Sequence, residues 1–130
     1  MKQRGFVPAF GLVVLLSLPV SAADAPTLTK DVQPIFDRAC TDCHNARKTK
    51  AKLNLSAATA GQALVNAPSD QVPQMVRVKP GDPEASYLWL KVQHRAEKGK
   101  GMPRGLFGSK HLPAADLEII KRWIEAGAAK

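Results

Sequence analysis

The chain is poor in several residue types, and each shortage narrows the possible functions. It has two cysteines among 130 residues, so a structural zinc site, which needs four ligands, could not be made of cysteines alone. Aromatic residues make up 5%, and no run of them alternates with basic residues, so nucleic-acid binding has only the net charge of +8 in its favour and is not expected. Nothing suggests a nucleophile–base pair or a carboxylate dyad. We therefore predict a protein that is not an enzyme by itself.

Long apolar runs are confined to the N-terminus. Residues 6–20 are mostly apolar, Lys2 and Arg4 precede them, and the small residues 21–23 follow, which is the order typical of a cleaved secretory signal peptide. The run is short for a bilayer span of about 20 residues, so an uncleaved anchor is the lesser alternative and no stable membrane insertion is expected after cleavage. This predicts a periplasmic location. The predicted division is a signal peptide over 1–23, a flexible leader over 24–28 and one domain over 29–130.

Both cysteines lie in one pentapeptide, Cys40-Thr41-Asp42-Cys43-His44. The C-x-x-C-H spacing is typical of c-type haem attachment, in which two thiols bind the haem vinyl groups and the histidine binds the iron. We therefore predict one covalently attached haem c, held by Cys40 and Cys43, with His44 as the proximal iron ligand. Thr41 and Asp42 are expected to be spacers.

Three other kinds of site use part of this motif. A thioredoxin-like dithiol needs a preceding strand and has no use for His44, whereas the residues before Cys40 have a helical pattern. A zinc site would need a further ligand from His94, His111 or a carboxylate. A simple disulfide between Cys40 and Cys43 would leave the histidine unexplained.

The second axial ligand decides what such a haem can do. The candidates are Met75, Met102, His94 and His111, since Met1 would leave with the signal peptide. Met102 lies between Gly101 and Pro103 in an irregular segment, where glycine lets the backbone approach a flat ring and proline stiffens the loop. Methionine opposite histidine raises the reduction potential and favours electron transfer. We predict Met102 as the distal ligand and His111 as the fallback; Met75 is expected to pack beside Val76, and His94 to be a solvated helix residue.

Apolar periodicity and capping residues predict four helices. The predicted helices run from about Val32 into Cys40 with Thr29 as N-cap, from Ala57 to about Leu64, from Pro83 to about Ala96 after the N-cap Asp82, and from Pro113 to just before Gly127. Between them, residues 76–79 are expected to be extended and residues 99–108 to form a glycine-rich loop around Met102.

Taken together, these features resemble the monohaem cytochrome c superfamily of the class I type. The resemblance lies in Phe36 before the attachment motif, the motif itself, Met102-Pro103, and Trp123 in the last helix. More narrowly, residues 32–36, 78–83 and 123–128 resemble the bacterial planctomycete-type cytochrome c domain. The resemblance implies a small all-α fold whose first and last helices cross near the haem, with Phe36 against Trp123.

The same resemblance implies a periplasmic carrier of one electron between a redox donor and an acceptor. A haem-bearing subunit of a periplasmic dehydrogenase complex is one alternative, and a gas sensor or peroxidase-like protein with an open sixth site is another, against which Met102 argues. In one respect the chain departs from many small cytochromes. They carry a proline about a dozen residues after the haem histidine, and the carbonyl of that proline accepts a hydrogen bond from the imidazole. This chain has no proline there. A backbone carbonyl near Lys52 or Leu53 is expected to orient His44 instead.

Basic residues are concentrated in the two segments expected to border the haem. They are Arg47, Lys48, Lys50 and Lys52 after the motif, and Lys98, Lys100, Arg104 and Lys110 around Met102. Such residues can steer an acidic redox partner by long-range attraction. The alternative is an ordinary solvated surface.

Overall fold

The computed structural model describes residues 25–105 and 107–130, so the predicted signal peptide lies outside the described residues. The fold is mostly helical. A π-helical turn, Leu28–Val32, leads into α1 (Gln33–Ala39), and a short 3₁₀ turn (Lys50–Lys52), α2 (Ala60–Leu64) and α3 (Tyr87–Val92) follow. The strands β1 (Arg104–Gly105) and β2 (Gly108–Ser109) pair as an antiparallel hairpin before α4 (Ala114–Glu125). This architecture is compatible with the predicted cytochrome c-like class, although the hairpin was not expected.

The first helical segment begins earlier than the sequence pattern predicted. Thr27, not Thr29, is the N-cap: its hydroxyl accepts from the Lys30 amide (3.3 Å), and its own amide donates to the Asp31 carboxylate (2.7 Å). This reciprocal pair satisfies amide groups that the start of a helix leaves without partners. Leu28 is buried, and its amide donates to the Ala129 carbonyl (2.9 Å). Its burial against the C-terminus explains the early start.

The C-terminal helix agrees with its predicted bounds. Pro113 is its N-cap, and the chain leaves it through Gly127 with φ of 102°, a conformation that glycine adopts without steric cost. The amide of Ala128 then donates to the Trp123 carbonyl (2.8 Å), and the Trp123 indole donates to the Ala129 carbonyl (2.8 Å). These bonds fasten the last residues beside the Leu28–Val32 turn, against which α4 packs.

One hydrophobic core joins the helices. Phe36 and Trp123 are both fully buried in it, together with Leu88 and Trp89 of α3 and Leu64 of α2. The buried residues of the first and last helices therefore face a shared interior. Among the described residues, no helix is long and apolar enough to cross a bilayer.

The third helix is much shorter than predicted. Asp82 does accept from the Ala85 amide (3.0 Å), but the residues after it form a turn, and α3 begins at Tyr87. It ends at Val92 because the chain turns away at His94, which has a left-handed φ of 57°. The chain is thereby directed into the loop that carries Met102.

Candidate functional site

The cysteine motif forms a hydrogen-bonded turn directly after α1. The Cys40 amide donates to the Phe36 carbonyl (2.8 Å), and the amides of Cys43 and His44 both donate back to the Cys40 carbonyl (3.1 and 3.0 Å). Both thiols are free; Cys40 is half-buried and Cys43 exposed. Local backbone bonds thus hold the two thiols and the imidazole within one turn of chain.

The thiol of Cys40 lacks the properties of a redox-active dithiol. Burial, with a smaller contribution from the charge of Cys43, raises the pKa of Cys40 to about 12. Thioredoxin-like sites depend on a lowered cysteine pKa, because the thiolate is the attacking species. The motif also follows a helix and not a strand. Both observations argue against the dithiol interpretation.

His44 is buried, and one of its ring nitrogens is already engaged. Its Nδ1 lies 3.0 Å from the carbonyl oxygen of Lys50. This agrees with the expectation of a backbone carbonyl near Lys52 or Leu53: the Leu53 carbonyl also acts on the ring, and the acceptor in contact is the nearby carbonyl of Lys50. The reason is a sharp local turn, since Ala51 and Lys52 both adopt left-handed backbone conformations with φ of 53°.

The surroundings of His44 favour the neutral imidazole. Burial lowers its pKa, the carbonyls of Lys50 and Leu53 oppose that effect, and the charges of Lys50 and Arg77 lower the pKa further. When Nδ1 donates to the Lys50 carbonyl, Nε2 keeps its lone pair for a metal. The ring therefore has the tautomer that an axial iron ligand needs.

A cavity of about 270 Å³ lies beside the motif, and Cys40, His44 and Met102 all line it. Much of the remaining wall is aliphatic, formed by Leu53, Leu55, Leu64, Leu88 and Val92. Polar residues complete it: Lys50, Ser69, Asp70, Gln71, Arg77, Tyr87 and Lys91, with Ala51 beside them. An apolar cavity with a thiol, an imidazole and a thioether in its walls suits a large flat aromatic group that carries a metal.

Met102 reaches this cavity although it lies 58 positions after His44 in the chain. Its amide donates to the Lys91 carbonyl (2.9 Å), which attaches its loop to the end of α3. The Met102–Pro103 peptide bond is cis. Sequence reasoning selected Met102 for its loop chemistry, and the structure brings it to the same cavity as Cys40 and His44.

The other three candidate ligands do not line this cavity. Met75 lies half-buried in a loop, where its amide donates to the Val72 carbonyl. His94 and the fallback ligand His111 stack on each other, with ring centroids 4.1 Å apart and planes inclined by 31°. His94 lines a second, separate cavity. Of the four candidates, Met102 alone shares a cavity with His44.

Arg77 is a site residue that the sequence did not reveal. Its guanidinium donates to the carbonyls of Ala63 (2.9 Å) and Ala51 (3.0 Å), so it joins α2 to the turn that orients His44. Burial lowers its pKa, and the nearby Asp70 partly restores it. In the sequence, Arg77 stands in a short alternating stretch where an exposed basic residue is expected, and no local signal distinguishes it.

The described part of the chain contains no group of three or more histidine, cysteine, aspartate or glutamate residues placed to bind a metal ion. The zinc alternative therefore gains no support from the structure. Cys40 and His44 instead face the cavity shared with a methionine, which is not a usual zinc ligand.

Comparisons with known proteins agree with the chemistry of this site. The family model for planctomycete cytochrome C matches residues 40–104, which is half of the chain and runs from the first cysteine of the motif to just beyond Met102. No curated protein and no solved structure matches the chain. A cytochrome c domain points to a haem-binding electron carrier. The family match, which covers the attachment motif and the methionine that shares its cavity, shows that this chain belongs to the planctomycete cytochrome c family.

Proposed function

We propose that the protein is a periplasmic one-electron carrier with a single haem c, bound covalently by Cys40 and Cys43 and ligated by His44 and Met102. The observation that carries the proposal is that Cys40, His44 and Met102 line one cavity. A bound haem would supply an iron that changes between its ferric and ferrous states. The family match supports the cofactor, and the secretory pattern of residues 1–23 supports the location.

The residues around the cavity fit such a group. The aliphatic wall excludes water, and apolar surroundings with a histidine–methionine pair favour the reduced iron. The Lys50 carbonyl fixes the orientation of the His44 ring, and Arg77 fixes the turn that contains Lys50. We further propose that the segment around Phe36 and the helix of Trp123, both fully buried in one core, cross next to the haem.

The first prediction concerns Met102→Ala in the ferric holoprotein. The parent protein should show the weak red absorption band of methionine–iron ligation, and the variant should lose it, because alanine has no sulfur to offer the iron. The matched control is Met75→Ala, which removes a methionine that does not line the cavity and should keep the band. A parent protein without the band, or a Met102→Ala variant that retains it, would show that the distal ligand is another group and would reopen the sensor or peroxidase-like alternatives.

The basic residues of the two segments at the cavity support docking of an acidic redox partner. All eight are exposed, and within the described residues only Lys52 among them forms an ion pair, with Asp70 (3.1 Å). The other ion pairs involve cations elsewhere: Arg38, Lys79, Arg95 and Lys121. The remaining seven charges are therefore available to attract an anionic surface.

The second prediction tests this attraction with small redox probes of opposite charge. Oxidation of the ferrous protein by anionic ferricyanide should slow as salt is added, and oxidation by a cationic cobalt(III) complex should accelerate, because salt screens both interactions. Lys48→Glu should slow the ferricyanide reaction severalfold at low ionic strength. Lys121→Glu, the same charge change in α4, should have a smaller effect. Rates that do not depend on salt for either probe would remove the steering proposal without affecting the haem assignment.

A further inference from the structure

Among the described residues, Lys91 is the one buried lysine. Only 8% of its surface is exposed, although lysines are rarely buried without a partner that compensates the charge. Among the described residues, no carboxylate lies within ion-pair distance of it. Its ammonium group donates instead to the carbonyls of Lys98 (3.2 Å) and Lys100 (2.8 Å) and lies 5.3 Å from the centre of the Tyr87 ring.

The two carbonyls that accept from Lys91 belong to the methionine loop, which we define as Lys98–Met102. Gly99, with φ of 72°, lies directly against the ammonium: a Cβ atom at this position would be 2.5 Å from Nζ of Lys91 and 2.6 Å from Oε1 of Gln71. The Tyr87 hydroxyl donates to the Lys98 carbonyl (2.7 Å) and lies 3.0 Å from the Gln71 side-chain amide. The first half of the loop therefore packs against the buried ammonium group of Lys91 and the hydroxyl group of Tyr87.

The main chain of Lys91 contacts the other end of the same loop. Its carbonyl accepts from the Met102 amide at 2.9 Å. Lys91, Tyr87 and Met102 also line the same cavity. A single residue of α3 thus fixes the loop before the methionine through its side chain and the methionine itself through its backbone.

From these contacts we propose that Lys91, assisted by Tyr87, is a positioning residue for the sulfur of Met102. The inference rests on the proposed ligation by Met102. The loop contains two glycines and so has little intrinsic preference for one conformation. A neutral thioether cannot draw the loop into place by charge. The ammonium group provides two charge-assisted hydrogen bonds to carbonyls of the loop, and such bonds are stronger than those between neutral groups.

The test measures how readily an added ligand displaces the methionine. Ferric holoprotein is titrated with imidazole, and the apparent dissociation constant is compared among variants. Lys91→Leu keeps the backbone bond to Met102 and cannot itself ligate iron, and it should bind imidazole about tenfold more tightly, which corresponds to about 1.4 kcal/mol. Tyr87→Phe, which removes one hydroxyl group, should shift the constant in the same direction by a smaller factor. Lys121→Leu removes a half-buried lysine of α4 that does not line the cavity, and it should leave the constant unchanged.

A second comparison separates positioning from general stability. In a Met102→Ala background, Lys91→Leu should have no further effect on imidazole binding, because there is no sulfur left to position. The proposal is overturned if Lys91→Leu binds imidazole as the parent does while Met102→Ala binds it more tightly. It is equally overturned if the effect persists in the Met102→Ala background.

If Lys91→Leu does not yield folded holoprotein, the Tyr87→Phe variant tests the proposal instead, and an unchanged imidazole dissociation constant in that variant counts against it. Retention of the red band in Met102→Ala would instead contradict the ligand assignment under the proposed function.

Discussion

Replacing Cys40 and Cys43 together by alanine should reduce the covalently bound haem from one per chain to none. These are the only thiols in the chain, so no other side chain can form a thioether bond with a haem vinyl group. Any haem that still entered the cavity would be held by axial ligands and apolar contacts alone. The measurement is haem-dependent peroxidase staining of the denatured chain in a gel, with the mass of the intact chain as a second readout.

The control variants for this experiment lie between the two cysteines. Thr41 and Asp42 were predicted to be spacers, and Asp42 is exposed. Thr41→Ala and Asp42→Ala should therefore keep the covalent haem at the parental level. Each single cysteine variant should retain one thioether bond and some stained protein. Persistent covalent haem in the double variant would contradict the attachment assignment.

The parts of the site that lie close together in sequence could be predicted from it. Cys40, Cys43 and His44 share one hydrogen-bonded turn, so their relative placement follows from local backbone bonds. Met102 could be selected because only a few residues can ligate iron and its loop has distinctive chemistry. Its arrival at the cavity depends on the contact between its amide and Lys91, which no sequence pattern shows.

The bounds of the helices show the same division. The last helix ends just before Gly127, whose left-handed backbone terminates it, and the end of this helix could be predicted from that glycine alone. The third helix continued the apolar pattern only to Val92, although charged and polar residues after it are compatible with a helix. The helix ends at Val92 because the residues after it form the methionine loop, whose carbonyls bond to Lys91 and Tyr87 of the same helix. Tertiary contacts override helix propensity here.

The supporting residues were missed for a related reason. Arg77, Tyr87 and Lys91 act on backbone carbonyls of distant turns, and such acceptors are present at every position of a chain. A pattern of side chains cannot indicate which carbonyl a guanidinium or an ammonium will meet. Similarly, the Lys50 carbonyl became the partner of His44 through two left-handed residues, Ala51 and Lys52, that are not glycine.

Gly101 is the point at which the methionine loop lies against the His94 ring. The distances from a Cβ atom at this position to Nδ1 and Cγ of the His94 ring would be those of a steric clash. Such distances are far inside van der Waals contact, so either the ring or the loop must move. The ring is restrained, because it stacks on His111 and its Nε2 lies 3.2 Å from the Lys110 carbonyl. The loop should therefore be the part that shifts.

Gly101→Ala should accordingly weaken or abolish ligation by Met102, the next residue in the chain. Overpacking of this kind typically costs about 1–3 kcal/mol. If this cost falls on the ligated state, it corresponds to an increase in imidazole affinity of about five- to 150-fold. The readouts are the red band of the ferric holoprotein and the imidazole titration. Gly105→Ala is the matched control, since a Cβ there would lie 3.3 Å from the Gly108 carbonyl oxygen and needs only a small adjustment.

The steric explanation also predicts a compensating change. His94→Ala removes the ring that a side chain at position 101 would meet, so combining it with Gly101→Ala should restore much of the methionine band. His94→Ala alone should affect the band less than Gly101→Ala does, because the bonds from Lys91 to the loop remain. A double variant as defective as Gly101→Ala would mean that the alanine acts through the backbone of the loop and not through His94. Recovery in the double variant would identify the His94 ring as the surface against which the methionine loop is packed.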